Sequence, residues 1–189
     1  SDISTYSCKY ASIIDLTVNK PGGAFVYHEI VKGSGLIVLG KCYEYFGVEK
    51  FKENYSVFDS KENIVRPFCS STGTTGRNIN PNFSKKLRYA MITADTPEGR
   101  RRSIIELCQS YENRHGEYIK VILVSEVAQT GLTFNNVLQG HLASSTWHPS
   151  AAYQAISRII RATSHNDLLA EQAYCLQREG RDPANASLV

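Results

Sequence analysis

No C-x-x-C pair occurs in this chain, although it holds five cysteines: Cys8, Cys42, Cys69, Cys108 and Cys175. An odd, scattered set argues against a disulfide framework and against a zinc site built on paired thiolates. It favours reduced thiols, most of them expected to be buried as small apolar side chains. There is no unbroken apolar run of membrane-spanning length. The opening, SDISTYSCKY, lacks the basic-then-apolar order of a secretory leader. Also absent is a phosphate loop of the form G-x-x-x-x-G-K-[ST]. Ser70 to Asn78, SSTGTTGRN, has the glycines but no lysine in the phosphate-binding place, and reads as a loop. Nor does charge of one sign dominate: 21 Lys and Arg against 18 Asp and Glu leave +3. That balance permits nucleic-acid contact without arguing for it.

What is present suffices for one domain: 189 residues, 42% of them hydrophobic, enough to bury a sizeable core. Residues 6–18 have helical spacing, and Asn19 to Gly23 breaks it. Ala24 to Ile30 reads as a first core strand. Leu36 to Phe46 reads as a helix, with Ser34 a candidate cap and Gly47 a C-terminal stop. Strand, glycine turn and helix open a βαβ unit. Residues 60–84 are polar and read as a long surface loop or insertion. Regular structure resumes with a strand at Lys86 to Thr93. A helix follows, capped by Thr96, started by Pro97 and running to about Tyr111, with Arg100, Arg101 and Arg102 crowding its first turns. That basic turn is either solvated or offered to an anion. Tyr118 to Ser125, YIKVILVS, suits the interior of a parallel sheet. Val137 to Trp147 holds another strand, and Leu168 to Arg178 a last helix.

One stretch carries more chemistry than the rest. Pro149 to His165, PSAAYQAISRIIRATSH, read as a single helix, puts Gln154, Arg158 and Arg161 at i, i+4 and i+7 on one face. Tyr153, Ile156, Ile159 and Ile160 then form the stripe facing the core. Two guanidiniums and a carboxamide on one face offer many donors to an oxygen-rich anion. An amphipathic helix with a merely solvated polar face would look the same.

The surroundings of this stretch separate the two readings. Gln154-Ala155-Ile156-Ser157-Arg158-Ile159-Ile160-Arg161 resembles motif VI of superfamily 2 helicases, Q-x-x-G-R-x-x-R, with Ser157 in place of the usual glycine. Upstream, Ser125 to Phe134, SEVAQTGLTF, resembles motif V, and Phe25-Val26-Tyr27-His28 after Gly22-Gly23 resembles motif IV. The extension Ala162-Thr163-Ser164-His165 is most similar to the nucleoside triphosphatase I and early-transcription-factor helicases of large cytoplasmic DNA viruses. The likeness covers residues 20 to 166, in the family's motif order. Neither a Walker A loop nor a D-E-x-H/D box occurs anywhere in the sequence, so the chain resembles the second half of a motor.

The resemblance implies an α/β fold, a RecA-like parallel sheet flanked by helices. Residues 1–20 would lead in from an N-terminal motor domain. Residues 21–166 would form the helicase C-terminal domain, and 167–189 a terminal helix and tail. It implies that Arg158 and Arg161 are arginine fingers, with Gln154 positioning the nucleotide and Gly131 and Thr133 forming the adjacent wall. It also implies that Thr93, Asp95, Ser125, Gln129 and Thr130 touch a nucleic-acid backbone, with His28 and Lys32 as weaker candidates. The substrate would be ATP with Mg2+, the metal held by the N-terminal domain, and the 189-residue chain alone would bind neither tightly. Expected partners are nucleic acid, that N-terminal domain and the viral transcription machinery, in host cytoplasm or virion, with no membrane. Two other classes stay open: a degenerate RecA-like module that only docks, and a self-contained nucleotide enzyme. Gly33-Ser34-Gly35 is too short a phosphate loop for the latter.

Overall fold

The computed structural model describes residues 3–52, 86–125, 134–145, 149–160 and 164–187. The predicted loop at 60–84 therefore lies outside the described residues. Five strands form one sheet: β1 (Gly23–Tyr27), β2 (Glu49–Lys50), β3 (Arg88–Ile92), β4 (Val121–Val124) and β5 (Val137–Leu142). Their order is β2-β3-β4-β1-β5, and every pairing is parallel. The expected α/β class is met.

Side-chain alternation along the central strands builds two cores, because successive residues of a strand face opposite sides of the sheet. Phe25 and Tyr27 of β1 and Ile122 and Val124 of β4 turn to one face. There they meet Ile104, Leu107 and Cys108 of helix α3 (Glu98–Gln109) and Ala155 of α4 (Pro149–Ile156). Ala24, Val26, Val121 and Leu123 turn to the other face. Those pack on Tyr10, Ile13 and Ile14 of α1 (Cys8–Asn19) and on Leu36, Leu39 and Tyr43 of α2 (Leu36–Tyr45). Helices thus cover both faces, as an all-parallel sheet requires. The fifth helix, α5, spans Asn166–Arg178.

Several local expectations need correcting. The Ser34 cap is not made: Gly35 occupies that place, where a Cβ would lie 2.0 Å from Ile30 O, so no larger residue fits. Thr96 does not cap α3. Pro97 precedes the helix, while the Thr96 hydroxyl accepts from the Thr93 N–H at 2.9 Å. The two-residue strand β2 was not expected. Of the four described cysteines, all free, only Cys108 is fully buried, because Cys8 and Cys175 fall on the outer faces of their helices. Gly47 does end its helix as expected, at φ +82.

The middle of α5 is tied down by charge at Glu171. Arg114 grips both carboxylate oxygens of Glu171 at 2.8 and 3.0 Å, and His115 Nε2 lies 2.7 Å from the same carboxylate. Burial pushes the Glu171 carboxyl up, but the Arg114 hydrogen bonds and the charges of Arg114 and His115 outweigh it, leaving it below the usual carboxylate value. A lowered carboxyl contributes stability above its unfolded pKa, lost as pH falls through the folded one. Glu171→Gln is therefore expected to cost about 1–2 kcal/mol near pH 7, discounted for partial exposure. In urea melts at several pH values, that gap should close as pH drops below the ordinary carboxylate range.

Candidate functional site

The helix of the motif VI stretch is shorter than the sequence suggests. It ends at Ile156, and residues 157–159 continue as tight turn. The Arg158 and Ile159 N–H groups donate to the carbonyls three residues back, Ala155 and Ile156. Such i to i−3 bonds tighten a final turn and shift every later side chain around the axis. Ser157, standing where the motif has glycine, helps close this turn, its hydroxyl donating to Gln154 O at 2.8 Å. The predicted core stripe is corrected with it. Ala155 and Ile159 are buried and Ile156 is half-buried, while Tyr153 and Ile160 are 74% and 67% exposed. Gly140 of β5 leaves room for Ile159, whose Cδ1 would lie 2.7 Å from a Cβ at that position.

Arg158 is half-buried, and its Nε is fully buried without a hydrogen-bond partner among the described residues. An unpartnered buried donor costs about 1–3 kcal/mol. Its main chain is fixed, because the Phe134 N–H donates to Arg158 O at 3.1 Å. Phe134 is fully buried against Phe25, with ring centroids 5.6 Å apart. Gln154 is exposed on α4. Arg161, Gly131, Thr133, Gln129 and Thr130 lie outside the described residues, as does Trp147.

The remaining predicted residues gather at another edge. Thr93, Ser125 and His28 directly follow β3, β4 and β1, so they share the C-terminal edge of the sheet. That is where ligand sites of open parallel sheets form. Thr93 and Ser125 are buried, and Ser125 Oγ has no hydrogen-bond partner among the described residues, whereas Asp95 is exposed. His28 is a structural residue. Its Nδ1 accepts from the Ile30 N–H at 3.0 Å, and burial, then the nearby Lys9 charge, hold its pKa below the ordinary value. Lys32 is exposed. In the basic turn, Arg100 donates to Phe51 O at 2.8 Å and Arg101 lies 3.7 Å from Glu98, so these two cations are engaged within the domain.

Arg158 and the Thr93–Ser125 edge are thus not one cluster. Gly23 pairs with Val137 and Tyr27 with Leu142, so Phe134, which fixes Arg158, precedes the opposite end of β5. The two places are separated by about 13 Å of strand. Sequence reading picked out Ser164 and His165 only as part of a motif extension, and missed the group they form with Asn136 and Asp167, which ties the end of this segment to β5. Its one advance signal was the Asn135-Asn136 pair, since asparagine tolerates a left-handed backbone, and Asn136 has φ +58. Among the described residues, no group of three or more His, Cys, Asp or Glu could hold a metal ion, and no helix is long and apolar enough to cross a membrane.

A parallel sheet covered on both faces by helices defines an α/β domain. The chain belongs to the helicase conserved C-terminal domain family, whose model matches residues 48–163. Its fold is RecA-like, and it is related to superfamily 2 helicases of large DNA viruses. It is 33% identical over 171 residues to a protein named as helicase 087L from Invertebrate iridescent virus 3, a match covering 88% of this chain and 15% of that protein. It is 28% identical over 176 residues to the termination factor NPH-I homolog of African swine fever virus, isolate Tick/Malawi/Lil 20-1/1983, covering 88% of this chain and 24% of that one. Nucleoside triphosphatase I of Melanoplus sanguinipes entomopoxvirus is 23% identical over 172 residues, covering 91% and 20%. The chain therefore spans about a quarter or less of the length of these relatives. The family match begins at Val48, yet β1 lies between β4 and β5 in the sheet.

Proposed function

We propose that this chain is the second motor domain of an NTP-dependent superfamily 2 helicase or translocase. It would act with a first RecA-like domain carried elsewhere in the same polypeptide. The reading takes residues 21–166 as the domain, and ATP with Mg2+ held by its neighbour as the substrate. Arg158 and Arg161 meet the triphosphate when the two domains close. Gln154 positions it, and Gly131 and Thr133 line the wall beside it. Thr93, Asp95 and Ser125 at the C-terminal edge, together with Gln129 and Thr130, hold a nucleic-acid backbone. Contacts of that kind set register without reading sequence. The relatives' names support a role in viral transcription.

One observation carries the reading: the buried Nε of Arg158, unpartnered on a segment whose main chain is pinned. Phosphoryl transfer needs positioning and neutralised charge more than covalent help. An arginine prepared in one domain and completed by triphosphate from another supplies both only in the closed state. Hydrolysis then depends on domain closure, and closure at one end of β5 shifts a nucleic-acid grip at the other.

ATP turnover tests the division of labour. The 189-residue chain alone is expected to hydrolyse ATP no faster than buffer, with or without nucleic acid, whereas the full-length protein turns over in a nucleic-acid-stimulated manner. Stimulated turnover by the 189-residue chain would overturn the assignment.

A further inference from the structure

We propose that His165 and Asn136 are positioning residues that latch the Arg158 segment to the start of β5. The proposal rests on the role given to Arg158 above, and assigns part of that arginine's effectiveness to groups that touch neither nucleotide nor nucleic acid.

The latch is a run of hydrogen bonds gripping the chain before and after residues 161–163. Before them, Arg158 O accepts from the Phe134 N–H at 3.1 Å and Ile159 O accepts from the Ser164 hydroxyl at 3.0 Å. After them, Ser164 O accepts from the Asn136 N–H at 2.6 Å, and His165 Nε2 donates to Val137 O at 2.7 Å. The Asn136 side-chain amide then donates to Asp167 at 2.9 Å, joining the same corner to the first turn of α5. Arg158 O and Ile159 O lie past the end of α4, where carbonyls lose their intrahelical donors and must find others. Asn136 is 2% exposed and Ser164 is likewise buried, so water does not supply those donors.

Proton accounting shows which bond is obligatory. Carbonyl oxygens only accept, so His165 Nε2 carries a hydrogen whatever the ring's charge. The Ser164 hydroxyl lies 3.0 Å from Ile159 O and 2.9 Å from His165 Nδ1, so it bridges the turn and the ring. The bond from Nε2 to Val137 is the ring's tie to β5. A side chain with one donor at that reach can stand in for histidine, and glutamine has it.

The backbone at Asn136 supports the same conclusion. Its φ of +58 is a conformation that β-branched and bulky residues rarely adopt. That turn aims its N–H at Ser164 while sending the side chain to Asp167. A residue held in an uncommon conformation by bonds on two sides fixes direction as well as stability.

The test uses the full-length protein, with kcat and KM for ATP and the melting temperature measured on each variant. His165→Ala is expected to lower kcat about 100-fold, the scale of a misplacement near 1 Å, with KM for ATP and the melting temperature little changed. His165→Gln should restore most of kcat. Asn136→Asp keeps the left-handed turn but sets a second carboxylate against Asp167, and should lower kcat with KM unchanged. Unaltered kcat in His165→Ala and Asn136→Asp would overturn the latch, as would equal losses in His165→Ala and His165→Gln accompanied by a fall in melting temperature. Arg158→Ala measured alongside separates the two ideas. If it retains kcat, the arginine's assigned role fails and the latch with it; if it alone loses kcat, only the latch fails.

Discussion

Replacing Phe134 with alanine is expected to destabilise this domain by about 3–5 kcal/mol, the usual cost of emptying a buried phenyl site. Phe134 is fully buried and packs on Phe25 of the central strand β1, itself 1% exposed. It joins the core that also takes Ala155 and Ile159 from the motif VI segment. Neighbouring side chains cannot easily collapse into the gap, because the sheet fixes one wall. At about 2–4 °C per kcal/mol for a chain of this size, the melting temperature should fall by about 6–20 °C. Alanine keeps the N–H that holds Arg158 O, so the hydrogen bond is not deleted. It loses the ring that fixes its direction. A melt displaced by less than about 1 kcal/mol would show that Phe134 does not anchor the segment.

Arg158→Ala is expected to divide stability from activity. In the full-length protein, the loss of transition-state charge neutralisation should lower stimulated hydrolysis by about 10³-fold or more, within the range that arginine fingers contribute. KM should change much less, since the interaction forms mainly as charge gathers on the transferring phosphoryl group. Lysine is not expected to rescue, because a point charge cannot reproduce the planar fork of a guanidinium. The folded domain should lose little stability and can gain some, since removing the side chain removes a buried unpartnered Nε. Sites kept ready for an absent partner are destabilising until that partner arrives.

Most of the sheet was legible because its signal is local. The β-branched run in Val121–Val124 reads as an interior strand, and Gly22-Gly23 and Gly47 mark the breaks around β1 and α2. Strand β2 left no such trace: two residues cannot show a period, and Glu49 and Lys50 are placed by their pairing with Arg88 and Tyr89 of β3 and by the Glu49–Lys86 ion pair, all remote in sequence. The α4 error has a similar origin. A 3.6-residue period extended through Ser157 misplaces everything after it, because the ladder tightens there and Gly140, remote in sequence, makes room for Ile159. Gln154 and Arg158 were picked out by helical spacing and then by motif, and the spacing no longer holds past Ile156. Asn136 was not picked out at all, since its importance comes from Ser164 and Asp167, about 30 residues further along. Pairings of that kind are set by tertiary structure and leave no periodic mark.

Single-turnover hydrolysis of ATP by the full-length protein, with saturating nucleic acid, tests the central claim most directly because it isolates the chemical step. Arg158→Ala should bind nucleotide about as well as the unaltered protein and cleave it about 10³-fold more slowly or worse. Cleavage at the unaltered rate would contradict the account, because no charge from this domain would then be reaching the triphosphate through Arg158.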